Sequence, residues 1–433
     1  MIRYVCFVCL AIVFSHCREQ KKENMQWLSE KLEGNLHNIS NLEFSSSNFS
    51  QYSSLKTAIG KKKIVLLGEQ THGDGTTFEA KCQLIKFLHE EMDFDLLVFE
   101  SGFYQSSKVM DQLDQGKSVS EVFPKGLNQR WSDVKEVQPL LSYIKEGIGK
   151  ENFLKIAGMD VLLDGQYSKE SLVYDFENFV QQNYPNIRDK NFRAFSKTIQ
   201  GLQKDPAYLL AREQKAFFDT LTKYIALFEK EDSKQIQSTS AFWAQVWRNF
   251  SVNLKNSWSR TDGTYSRPEY FSRRDSMMAE NISWLMKESK KVIVWSSVTH
   301  NMRDFDPELL EQMGWSSNTK FMGEYLEELR GADEMFHLTF TGYKGTYADI
   351  YNNYSKVKFT QPSDKSLEAT MQQYDEPFCY FIPDASWLNK RFKASFIFNT
   401  EYESDWARSI DAIFFTQKME ASRLSQTFKF ENR

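Results

Sequence analysis

Cysteine is scarce in the body of this chain. Of five Cys, three (Cys6, Cys9 and Cys17) fall within the first 17 residues, so only Cys82 and Cys379 remain for the fold. A disulfide scaffold is excluded, and two buried thiols are expected. Nine Pro and 19 Gly in 433 residues exclude collagen-like and low-complexity architectures. Charge of one sign is also missing. Lys plus Arg number 54 and Asp plus Glu 58, giving 54 − 58 = −4, without the basic excess of a general nucleic-acid binder. G-x-S-x-G, H-E-x-x-H and Cys-Cys-His zinc spacing do not occur, so neither a nucleophile elbow nor a standard zinc motif is expected. The Gly-rich stretch 68–75 lacks G-K-[ST], which argues against a phosphate cradle there. Apolar bulk, by contrast, is plentiful. Hydrophobic residues make up 41% and aromatic ones 15%, enough for a large core and too much for a disordered chain.

The N-terminus reads as an export signal. Arg3 precedes eleven apolar residues, 4–14, followed by Ser15-His16-Cys17 and an abrupt polar turn, REQKKEN. A spanning helix needs ~20 apolar residues, so this run is too short to be a permanent span. The pattern resembles a bacterial lipoprotein signal, with residues 1–16 removed and Cys17 lipidated, although His16 stands where a small residue is usual. That resemblance implies an exported protein anchored to a bacterial membrane, on its periplasmic or cell-surface side.

Beyond a linker and helix (17–59), the body alternates short apolar runs with helical patterns. Ile64–Gly68, Asp95–Phe99 and Leu154–Gly158 read as buried strands, and residues 76–92 and 133–147 as helices. Thr76 and Glu79 have capping-box spacing. Strand–helix alternation predicts an α/β fold: a mainly parallel, mixed sheet flanked by helices. Between 168 and 290 no strand is evident. Phe217, Leu221, Tyr224 and Phe228 fall at helical spacing, as do Trp243, Trp247, Phe250, Leu254 and Trp258. Such stripes are packing faces, and they predict an inserted all-helical lobe between core segments 60–167 and 291–433. The sheet resumes at Val292–Trp295, with further strands expected at 336–342, 378–382, 394–399 and 410–416.

Polar residues collect where these strands end. Glu69 and His72 follow the first strand, Glu100 closes the second, Asp160 the third, and Ser297 and His300 follow the resumed one. Ligands bind outside the carboxyl ends of such sheets. Lys81 lies on the apolar stripe of its helix with Leu84, Ile85, Leu88 and Met92; a buried ammonium needs a partner, though a snorkelling side chain gives the same pattern. A His with carboxylates and a cation suits activation of water, the His taking a proton and a cation facing the oxyanion. Two other readings use the same cleft: a metal-dependent hydrolase with His and Glu ligands, and an anchored binding protein without chemistry.

Several separated stretches resemble the erythromycin esterase family: IVLLGEQTHGDGTTFEAKCQLIKFLHEEMDFDLLVFES, RWSDVKEVQPLLSYIKE followed by IAGMD, RRDSMMAENISWL followed by KVIVWSSVTHN, and the closing IDAIFF. The resemblance implies a mixed α/β core with helical additions and hydrolysis of a small-molecule ester or lactone without a required metal or cofactor. Carried over by position, His72 is the general base, Glu69 and Glu100 are its acidic partners, and Lys81 and His300 are oxyanion stabilisers. Asp160, Ser297 and Arg274 are assigned to substrate binding. One departure is plain: Ser297 stands where the family has the first His of a Trp-x-His-x-x-His motif. Poor macrolide cleavage is expected from that change.

Overall fold

The computed structural model describes residues 26–230 and 239–425. The expected lipidation position, Cys17, lies outside them. Among the described residues no helix is long and apolar enough to cross a membrane.

Eleven strands occur among the described residues: β1 (His37–Asn38), β2 (Ile64–Glu69), β3 (Leu96–Gly102), β4 (Lys155–Asp160), β5 (Val292–Ser297), β6 (Met335–Asp349), β7 (Ser355–Lys358), β8 (Phe378–Phe381), β9 (Phe392–Ile397), β10 (Thr400–Ser404) and β11 (Ala412–Met419). The main sheet runs β1-β8-β11-β6-β2-β5-β3-β4, with β7 paired to β6, and β9 and β10 form a separate hairpin. From β11 to β4 every neighbour is parallel. The β1, β7 and β8 pairings are antiparallel. The fold is therefore the mixed, mostly parallel α/β sheet that the strand–helix alternation predicts.

Strand β2 is buried at every position, as a central parallel strand covered on both faces must be. Its residues alternate between the two layers. Val65 and Leu67, with Phe99 and Trp295, pack in a core that includes Phe78, Ile85 and Leu88 of the helix Gly75–Met92. Ile64 and Leu66, with Val98 and Val294, pack against the helical lobe.

That lobe comprises the helices Gln166–Asn183, Lys190–Lys204, Ala211–Glu229, Thr239–Thr261 and Arg267–Leu285, with no strand among the described residues between them. Its stripes meet ring on ring: Phe176 lies 4.6 Å from Trp247 and 5.1 Å from Trp243. Most of the lobe covers a sheet face; its last helix reaches the sheet's carboxyl edge.

Two local expectations differ from the structure. The helix at 75–92 has no capping box, because the Asp74 carboxylate accepts from Thr71 N and Oγ1, both at 2.8 Å. Thr76 Oγ1 instead accepts from Glu420 N at 2.9 Å, tying the helix start to the chain's end. Residues 394–399 do not extend the main sheet either. Phe398 and Asn399 take φ of 52° and 51°, the paired left-handed turn that closes a tight hairpin, so the chain folds back into β10. Cys82 and Cys379 are free and buried, as expected.

Candidate active site

Four parallel strands, β2, β3, β4 and β5, end at one edge, and their closing turns of chain bring Glu69, Glu100, Asp160 and Ser297 there. His72 arrives on the loop after β2. That loop is held tightly: Gly73 O accepts from Ala348 N at 3.0 Å and from Ser422 N at 2.9 Å. A Cβ at Gly73 would stand 1.9 Å from Ala348 O, so only Gly lets β6 pass this close. His300 sits in the short helix Val298–Asn301 that follows β5.

His72 Nδ1 lies 3.1 Å from Glu69 Oε1. A carboxylate only accepts, so Nδ1 carries the proton and Nε2 presents a lone pair. Burial pushes the His72 imidazole down to about 3, against the pull of Glu100, so the ring is neutral near pH 7. Lys81 and Glu69 are both fully buried and bonded to each other. The ammonium also donates to Leu67 O at 2.7 Å and Ser296 O at 3.3 Å. All three of its N–H bonds thus meet protein acceptors.

Glu100 is the hub of the site. Oε2 accepts from Ser297 N at 3.1 Å, and Oε1 accepts from Arg274 at 3.0 Å. His300 Nε2 lies 3.4 Å and His72 Nε2 3.9 Å from that same Oε1. Burial alone would raise the Glu100 carboxyl, but the charges of His300 and Arg274 outweigh it and hold it well below the usual range. Arg274 clamps Asp160 through two bonds, at 2.9 and 2.7 Å. His300 is the electrostatic opposite of His72. Burial disfavours its charge, yet Asp275, bonded to Nδ1 at 2.7 Å, and Glu100 lift it to about 10.

The structure therefore gathers Glu69, His72, Lys81, Glu100, Asp160, Arg274, Ser297 and His300 at one edge of the sheet. Asp160, expected to bind substrate, has both oxygens on Arg274. Asp275 was missed in the sequence. Its signal was present: Arg274-Asp275 interrupts a helix face carrying Met277, Met278 and Ile282. Trp131 was missed too, although its ring stands edge-on to His72 at 5.7 Å. Among the described residues no group of three or more His, Cys, Asp or Glu is arranged to hold a metal ion.

Residues 89–419 match the family model described as erythromycin esterase. The chain belongs to the erythromycin esterase family. It is 26% identical over 359 residues to "Putative hydrolase YbfO" of Bacillus subtilis (strain 168), covering 75% of this chain and 74% of that protein. A Bacillus cereus protein of known crystal structure superposes with a TM-score of 0.77 at 18% identity, over 94% of this chain and 99% of that one. An erythromycin esterase, EreC, solved as a histidine-to-asparagine mutant in its open conformation, gives 0.62 at 16% identity over 91% and 99%. At these identities the two structures speak for the fold. Family membership and the likeness to YbfO support a hydrolase function.

Proposed function

We propose that the protein hydrolyses a carboxylic ester or lactone by water activated at His72. The observation that carries this reading is the contrast between two histidines sharing Glu100: one neutral with a free lone pair, one charged. His72 Nε2 takes a proton from water while Glu69 holds Nδ1–H, and the hydroxide attacks the carbonyl carbon. Because His300 is protonated, its Nε2–H donates to Glu100, and Arg274, 3.2 Å away, has an N–H left to aim at the carbonyl oxygen. That Arg274 donor stabilises the oxyanion, with the His300 charge beside it; one such contact is worth ~3–4 kcal/mol. Lys81, with its donors filled, acts through Glu69 by fixing the base. The test is a panel of 4-nitrophenyl esters and lactones with wild type and His72→Asn. Turnover should fall ~10²–10⁴-fold in the folded variant. A wild type that turns over none of them would favour the non-catalytic binding reading.

Export and lipid attachment at Cys17 belong to the same proposal. They rest on the signal pattern of residues 3–23 alone.

A further inference from the structure

Two arginines beside this site have no part in the reaction just described. Arg130 lies in the short helix Gln129–Ser132, next to Trp131, whose ring faces His72. Its guanidinium carbon stands 5.7 Å from the ring of Tyr351, which is 83% exposed at the tip of the β6–β7 hairpin. Its charge is felt at His72. Arg267 opens the helix Arg267–Leu285, four and seven residues before Phe271 and Arg274, and so shares their face. Its guanidinium carbon is 4.0 Å from the ring of Trp315. Phe271 joins Trp315, at 5.0 Å, to His300, at 6.0 Å. His72 and His300 face the same oxygen of Glu100, so Arg130 stands on the His72 side of that carboxylate and Arg267 on the His300 side.

Neither guanidinium has a carboxylate partner among the described residues, whereas Arg248, Arg273 and Arg274 all do. With Glu69 and Lys81 bonded to each other as one pair, Glu100, Asp160 and Asp275 stand against Arg274 and His300, an excess of one negative charge. The two rim arginines turn that into an excess of one positive charge. A guanidinium over an aromatic face keeps its N–H fork free for a planar oxyanion.

We propose that the substrate is an ester or lactone bearing a second, ionised acidic group, and that Arg130 and Arg267 bind that group at the cleft mouth. The inference rests on the hydrolase reading for its ester and on the rim for its charge.

Two chromogenic esters separate the claims. 4-Nitrophenyl pentanoate and mono-4-nitrophenyl glutarate share leaving group and chain length and differ in a terminal carboxylate. With the full chain at low salt, kcat/KM should favour the glutarate by about tenfold, the scale of one charge-assisted hydrogen bond. That ratio should fall toward one in the double variant Arg130→Gln/Arg267→Gln, and in ~0.5 M NaCl, where such exposed charges are screened. A wild-type ratio of one or less overturns the proposal. If neither ester is cleaved, the hydrolase reading fails by itself, and calorimetry decides the anion site. Glutaramate should then bind wild type in preference to pentanamide and lose that preference in the double variant. Equal binding of the two, or a preference that survives both substitutions, overturns it.

Discussion

Lys81 is bonded to Glu69 in a fully buried pair, and through it the helix Gly75–Met92 governs the orientation of His72. Breaking such a pair leaves an uncompensated buried charge, at a cost of ~3–5 kcal/mol, whereas replacing both members by groups of similar shape costs much less. Lys81→Met should lower the unfolding free energy by about that amount and depress turnover, because Glu69 loses its anchor. Glu69→Gln should do likewise. The double variant Lys81→Met/Glu69→Gln should regain much of the stability but not the activity. Denaturant unfolding of the four proteins checks this; additive losses would show that the pair is not coupled.

The two cleft histidines predict opposite limbs of pH dependence. His72 has a depressed folded-state value of about 3, so between pH 3 and 6.5 the unfolded chain binds a proton that the folded one refuses. Its contribution to stability is therefore lost as pH falls through that window. His300 is raised to about 10. What it adds is complete below pH 6.5 and disappears as pH rises toward 10. Turnover should accordingly show no loss from His72 protonation near pH 6.5 and should decline on the alkaline side. Asp74, lifted to about 7 by burial in the same loop, titrates near neutrality. Any step in the rate profile there should vanish in Asp74→Asn.

Asp275 holds the proton on His300. Asp275→Asn removes the strongest opposing charge and weakens the support that Oδ2 gives to Met322 N, at 3.1 Å. The alkaline limb should move down toward the ordinary His value, and kcat at pH 8 should fall by about tenfold. A pH–rate profile of the variant checks it; an unmoved limb would remove Asp275 from this role.

Ser297 supplies a backbone donor to Glu100 but no ionisable side chain. A Ser hydroxyl can donate a hydrogen bond yet carries no charge at neutral pH. Erythromycin should therefore be cleaved slowly or not at all, and Ser297→His should raise the rate. Loss of intact macrolide, followed by mass spectrometry for both proteins, gives the answer. Rapid cleavage by wild type would show that position 297 does not control the reaction.

Cys17→Ser should release the mature protein from the membrane fraction or block its processing. Mass spectrometry of the N-terminal peptide should find acyl chains on Cys17 in the wild type only.

The strands and helices were legible because their causes are local. Alternating short apolar runs and 3.6-residue stripes record which faces must be covered, and the carboxyl ends of parallel strands converge whatever lies above them. Glu69, His72, Glu100, Asp160 and His300 could thus be placed at one edge from their positions alone, and Lys81 marked itself as a cation on an apolar stripe. Tertiary structure decided what each residue does there. The sequence carries two similar loop histidines; burial beside Glu69 makes one neutral, and the Asp275 carboxylate, delivered by a helix from the lobe, makes the other charged. Three acceptors saturate Lys81, and Arg274 occupies Asp160. The turn at Phe398 and Asn399 diverts an apparent sheet strand into a hairpin. Periodicity comes from neighbours along the chain, whereas desolvation and charge pairing come from neighbours in space, which only the packed fold brings together.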